Sequence, residues 1–98
     1  MFVHSVYFWL SPDLTPDARA EFTRDIQTLR DIPTVRACYI GAPADTDRPV
    51  IDRSYDCGLI LLFDTQADEE AYLAHPLHRA FADKWRERWT VKIYDCVE

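Results

Sequence analysis

Only two glycines, Gly41 and Gly58, occur in the 98-residue chain, so no glycine-rich loop is available to cradle a phosphate or a dinucleotide. Basic residues are also scarce, with 11 against 17 acids and a formal charge of −6. Such a surface repels phosphate, which argues against nucleic acid and anionic membrane as partners. Arg79, Lys84, Arg86 and Arg88 are interleaved with Asp83 and Glu87, the pattern of a solvated helix face rather than a binding stripe. No apolar run approaches the ~20 residues a membrane span needs. The opening Met1-Phe2-Val3-His4 has no basic region or cleavage site, so no signal peptide is expected and a cytoplasmic location is. The three cysteines, Cys38, Cys57 and Cys96, are odd in number and lack the close spacing of a zinc pair. Free thiols in a reducing compartment are the expectation. No serine or cysteine shows a nucleophile elbow or a paired base in sequence.

What is present is apolar and strongly patterned. Hydrophobic residues make up 48% of the chain, which excludes a disordered segment. The length fits one domain over residues 1–98, with a thin core that buries only roughly two-thirds of the unfolded surface. Residues 2–10 (FVHSVYFWL) read as a strand with Phe2, His4, Val6, Phe8 and Leu10 on one face and Val3, Ser5, Tyr7 and Trp9 on the other. Thr15-Pro16 opens a helix whose stripe is Ala18, Phe22, Ile26 and Leu29, and Pro33 stops it. Residues 34–41 predict a second strand. A polar stretch over 42–54 predicts a long loop, of the kind that serves as a lid or a partner contact. Residues 55–63 (YDCGLILLF) predict a third strand, apolar on both faces. Asp64 or Thr65 caps a short helix to about Ala74. Pro76 starts another, with Leu77, Phe81 and Trp85 at every fourth position, and residues 89–97 close the chain as a fourth strand.

The order β-α-β-β-α(α)-β is the split arrangement of ferredoxin-like α+β domains, with a four-stranded antiparallel sheet. Helices can cover one face of that sheet only, while strands one and three are apolar on both. A second copy of the chain is the simplest cover, so a homodimer is expected.

Chemistry in the sequence centres on three histidines. His4 sits mid-strand on the face expected to lie under helices, where a buried imidazole needs a hydrogen-bond partner. As a lone residue it reads first as a satisfied core group. His75 precedes Pro76 at a helix junction and reads first as a cap. His78 falls in the first turn of the last helix, where the positive helix end favours a neutral imidazole able to take a proton. Tyr72 could orient it or donate to a developing oxyanion. A metal reading through His75, His78 and His4 is weak, because the proline break disturbs the helical spacing and no carboxylate completes a set. No metal and no other cofactor is expected. Tyr7, Trp9, Trp85 and Trp89 read as core and dimer seam rather than as a stacking platform.

The opening strand with His4, the Tyr55-Asp56 pair, the segment Tyr72-Leu-Ala-His75-Pro76-Leu-His78 and the closing Trp89-x-Val-x-Ile-x-Asp95 strand resemble the stress-responsive A/B barrel (Dabb) family over nearly the whole chain. The resemblance implies a dimeric α+β barrel. It also implies that Tyr72 and His78 correspond to the catalytic pair of a plant polyketide cyclase of that family, and His4 to a pocket histidine. That cyclase closes a linear polyketide by aldol condensation and keeps the carboxyl group. Two positions depart from it: Cys57 stands where the cyclase has another histidine, and residues 15–31 lack its pocket tyrosine. The function expected is therefore a small-molecule-binding dimeric A/B-barrel protein for an apolar or carbonyl-containing ligand. His78 and Tyr72 are its candidate catalytic pair for proton abstraction next to a carbonyl, in aldol chemistry or isomerisation. His4, Val6, Phe8, Cys57, Leu59, His75 and Phe81 are its candidate pocket wall. The alternative is a non-catalytic stress or scaffold homodimer in which the same residues only pack.

Overall fold

The structure is a computed structural model describing all residues from Met1 to Glu98. The chain runs β1 (Phe2–Leu10), α1 (Pro16–Gln27), β2 (Ala37–Gly41), β3 (Cys57–Phe63), α2 (Gln66–Ala74), α3 (Pro76–Trp85) and β4 (Trp89–Val97). Short 3-10 turns follow α1 and α3. The strands form one antiparallel sheet in the order β2-β3-β1-β4, the ferredoxin-like arrangement anticipated from the element order. The molecule measures 35 × 33 × 18 Å, one helical layer on one sheet.

Each helix begins where its chemistry dictates. Thr15 Oγ1 accepts from the Ala18 N–H at 3.1 Å, with Pro16 at the first helical position. Thr65 Oγ1 caps α2 by accepting from the Asp68 N–H, while Asp64 pairs with Arg36 at 2.9 Å. His75 Nδ1 accepts from the Leu77 N–H at 3.1 Å and so caps α3.

Two strands are shorter than the sequence predicts. A turn over residues 32–35, closed by the Val35 N–H on the Ile32 carbonyl, takes up the expected start of the strand, and Arg36 donates its N–H to the Leu62 carbonyl just before β2 begins at Ala37. Tyr55 packs its ring on Tyr7 at 4.9 Å between centroids, and Asp56 accepts from the Leu10 N–H, so β3 starts at Cys57. Similarly, α1 ends at Gln27 and a 3-10 turn carries Leu29 on into the core ahead of Pro33.

Under the helices, Phe22 is the hub of an aromatic cluster. Its ring meets Phe8, Phe81 and Trp85 at 5.5, 5.6 and 5.3 Å. Trp85 is fully buried and donates its indole N–H to Asp25 at 2.9 Å, tying α3 to α1. Such edge-on and tilted ring contacts add to the area that each ring removes from water. The 42–54 segment forms no helix or strand. Its far end returns beside the uncovered sheet face, where Ser54 accepts from the Trp9 indole.

Candidate active-site cavity

Alternation along β1 puts His4 on the helix-covered face with Phe2, Val6 and Phe8. The antiparallel register sets Asp95 of β4 directly opposite. Asp95 Oδ1 lies 2.6 Å from His4 Nδ1, a charge-assisted hydrogen bond in which the ring N–H donates to the carboxylate. From above, α2 brings Glu69 to 3.8 Å from the same nitrogen. His4 and Glu69 are both buried, whereas Asp95 keeps contact with solvent. Burial pushes the Glu69 carboxyl above its usual range and Asp95 and Glu70 push the same way, against the lowering effect of His4.

Tyr72 reaches the same place from the last turns of α2, its ring 6.0 Å from that of His4 and 4.8 Å from that of His78. It is 1% exposed. Burial, with Cys38 and Glu69 nearby, drives its hydroxyl pKa far up, so the group remains a neutral donor. His78 is half-buried in the first turn of α3. Its Nδ1 is 3.1 Å from the Leu73 carbonyl. A carbonyl only accepts, so Nδ1 carries the proton and Nε2 keeps a free lone pair. The His78 pKa is lowered first by burial, then by the charges of His4 and Arg86, against the raising effect of the Leu73 bond. Burial is the leading cause of this lowering, and its direction is the one expected from sequence.

His4, Tyr72 and His78 line one cavity of about 190 Å³. Its other walls include Val6, Phe8, Leu59 and Phe81, four of the candidate wall residues, together with Leu29, Ala82, Trp89 and Val91. Leu73 and Ile93, 40% and 50% exposed, form its outer rim. Two candidate wall residues lie elsewhere. Cys57 lines a separate groove under α1, because the core of Phe8 and Phe22 intervenes, and burial pushes its thiol up to about 11. His75 is turned to its capping role at the start of α3. This also separates it from His78, so the pair does not form the weak metal set considered from sequence.

Sequence reading found no carboxylates for His4, yet Glu69, Asp95 and His4 place one donor atom each within 4.8 Å of one another. Nδ1 already spends its single bonding direction on Asp95, so this is a hydrogen-bonded network before it is a metal site. The signal for Asp95 was the alternation Trp89, Val91, Ile93, Asp95 on one face of β4, but only the register places it beside His4. For Glu69 no local signal exists: its spacing reads as a charge in the first turn of a helix.

No helix is long and apolar enough to cross a membrane. No curated protein matches the chain in sequence. Among solved structures, a Dabb family protein with a ferredoxin-like fold from Mesorhizobium loti is 27% identical, with a TM-score of 0.80 over 99% of this chain and 95% of that one. A dimeric ferredoxin-like protein of unknown function from Thermobifida fusca is 21% identical, with a TM-score of 0.79 over 99% and 90%. The hydroxynitrile lyase of Passiflora edulis is also 21% identical, with a TM-score of 0.73 over 99% and 94%. The family model for the stress responsive A/B barrel domain matches residues 2–98. The chain therefore belongs to the stress responsive A/B barrel (Dabb) family.

Proposed function

We propose that the chain works as a homodimer, each protomer holding a small carbonyl compound in the His4–Tyr72–His78 cavity, where His78 removes a proton from the carbon next to the carbonyl. One observation carries the chemistry. The His78 Nδ1–H donates to the Leu73 carbonyl (Nδ1 to O, 3.1 Å), leaving Nε2 as an unprotonated base on a ring 4.8 Å from that of Tyr72 at the wall of an apolar cavity. In the step, the C–H bond breaks as Nε2 gains the proton, and the electron pair moves onto the carbonyl oxygen. The Tyr72 O–H is the available donor to that enolate oxygen. Return of the proton to carbon gives exchange or isomerisation, and attack on a second carbonyl gives an aldol product.

Size narrows the ligand. About 190 Å³ is below the ~300–1,000 Å³ of ordinary ligand pockets, and close to the ~150 Å³ cavity that takes up benzene. A substituted ring fits that scale; an extended polyketide does not. The homodimer is supported by the uncovered face of the sheet, where Tyr39 and Tyr94 are each 62% exposed, and by the dimeric description of the Thermobifida neighbour. The hydroxynitrile lyase among the neighbours is an example of this scaffold carrying small-molecule chemistry.

Deuterium exchange tests the reading without a known product. Acetophenone and related small ketones are incubated with the protein in deuterated buffer, and label at the carbon next to the carbonyl is followed by NMR. Wild type is expected to catalyse exchange and His78→Ala to lose roughly 10²–10⁴-fold. Because burial lowers the His78 pKa below its ordinary value, the base form predominates at neutral pH and the rate should fall only on acidification below it. Absence of catalysed exchange across the ketones, or an unchanged rate in His78→Ala, defeats the proposal.

A further inference from the structure

The polar groups at the cavity can be sorted by what they offer a ligand. His78 spends its Nδ1 proton on Leu73, and His4 spends its Nδ1 proton on Asp95. In their neutral forms both rings therefore keep Nε2 as an acceptor, and neither has a proton left to donate. Tyr72 supplies a hydroxyl whose hydrogen stays in place. No lysine or arginine is among the lining residues. Arg86, whose charge reaches His78, is bonded to Asp83 at 2.7 Å on the exposed side of α3. Behind His4 stand two carboxylates, Asp95 at 2.6 Å and Glu69 at 3.8 Å, the latter buried.

A ligand carboxylate needs several donors and a positive charge to offset its lost hydration. Here it would meet the Nε2 lone pair of His78, one hydroxyl and a network of two carboxylates around a single imidazole, which carries no net positive charge even when His4 is protonated. A ketone or aldehyde needs one donor for its oxygen, and Tyr72 is that donor. We propose that the Asp95–His4–Glu69 network makes this cavity selective for uncharged carbonyl compounds over carboxylates of the same size. Asp95 and Glu69 act as specificity-determining residues, reaching the ligand through their charge and through the orientation of His4. This deepens the proposed function, since it rests on the same cavity holding a small carbonyl compound. The acid-retaining cyclisation implied by the resemblance to the plant cyclase is the case it excludes.

Acetophenone and benzoate test it, because they match in ring and in number of heavy atoms and differ in charge. Binding of each to the full chain at neutral pH is measured by protein-detected NMR titration, following residues around the cavity. Acetophenone is expected to bind at least about tenfold more tightly than benzoate. Glu69→Gln and Asp95→Asn, which keep shape and remove charge, are each expected to shrink that ratio severalfold. If one variant does not fold, the other carries the test. Equal or tighter binding of benzoate by wild type overturns the inference, as does binding of neither compound. An unchanged ratio in both folded variants removes the role of the carboxylates. The two proposals fail separately: selective acetophenone binding without deuterium exchange leaves the selectivity and sinks the proton transfer. Exchange on an anionic keto acid at the rate of a neutral ketone does the reverse.

Discussion

The two faces of the sheet are built from the same four strands and end in opposite states. On the covered face, Leu61, Phe63 and Trp85 are fully buried, and Phe8 is nearly so. The opposite face presents Val3, Ser5, Tyr7, Ile60, Leu62 and Tyr94 at paired positions with no layer above them. Only Tyr55, lying on Tyr7, and the neighbouring loop end reach over one end of it. Both faces are apolar, but helices leave gaps between their cylinders and a flat sheet does not. The cavity with the three groups able to handle a proton lies on the helical side, whereas the hollow of about 240 Å³ between Tyr7, Trp9, Tyr55 and Tyr94 on the other face is more open to solvent. What the other face can offer is a broad surface for another sheet. His4 and Glu69 are the two polar residues buried in the covered layer. A break of the hydrophobic rule inside a core marks a site where function is the usual reason.

The comparison can be broken most directly at Phe22, the hub of the covered layer. Phe22→Ala is expected to cost about 3–5 kcal/mol, read as a lower midpoint in urea denaturation followed by circular dichroism. A loss under ~1 kcal/mol would mean the layer repacks freely and the cavity is not rigidly walled. On the other face, Ile60→Asp is expected to weaken dimerisation by at least ~100-fold, about 2.7 kcal/mol, while leaving the circular dichroism of the protomer intact. Light scattering at micromolar concentration reads the change in mass. A dimer as tight as wild type would place the interface elsewhere.

The smallest effect concerns the clamp between α1 and α3. Asp25 is raised by burial, but hydrogen bonds from Lys84 at 2.7 Å and Trp85 at 2.9 Å outweigh this and hold its pKa below the usual value. A carboxylate depressed in the folded state stabilises above its unfolded pKa, ~3.9, and that contribution is lost as pH falls through the folded value. Asp25→Asn is therefore expected to cost about 1 kcal/mol at pH 7. The difference from wild type should shrink steadily below pH ~4. A difference independent of pH would assign the effect to packing alone.

Much of this could be read along the chain because it is local. Thr15-Pro16, Thr65 and His75-Pro76 start helices by hydrogen bonds that span two or three residues. The alternation in β1 assigns His4 to the covered face without reference to any other strand. The shortened starts of β2 and β3 were not legible, since they depend on where the Val35 N–H, the Tyr55 ring and the Asp56 carboxylate find partners. The wall of the cavity was half legible. Val6, Phe8, Leu59 and Phe81 follow from period and face, whereas Trp89 and Val91 require the pairing of β4 with β1.

Sequence alone settled the order of the elements, the two-sided apolar sheet and the presence of histidines where a core or a helix start would hold them. Each follows from steric and hydrogen-bonding rules that act over a few residues. The tertiary structure alone decided that Asp95 and Glu69 flank His4, that Leu73 fixes the proton of His78, and that Cys57 and His75 stand apart. Those pairings join residues brought together only by register and helix packing, and electrostatics acts through space rather than along the chain.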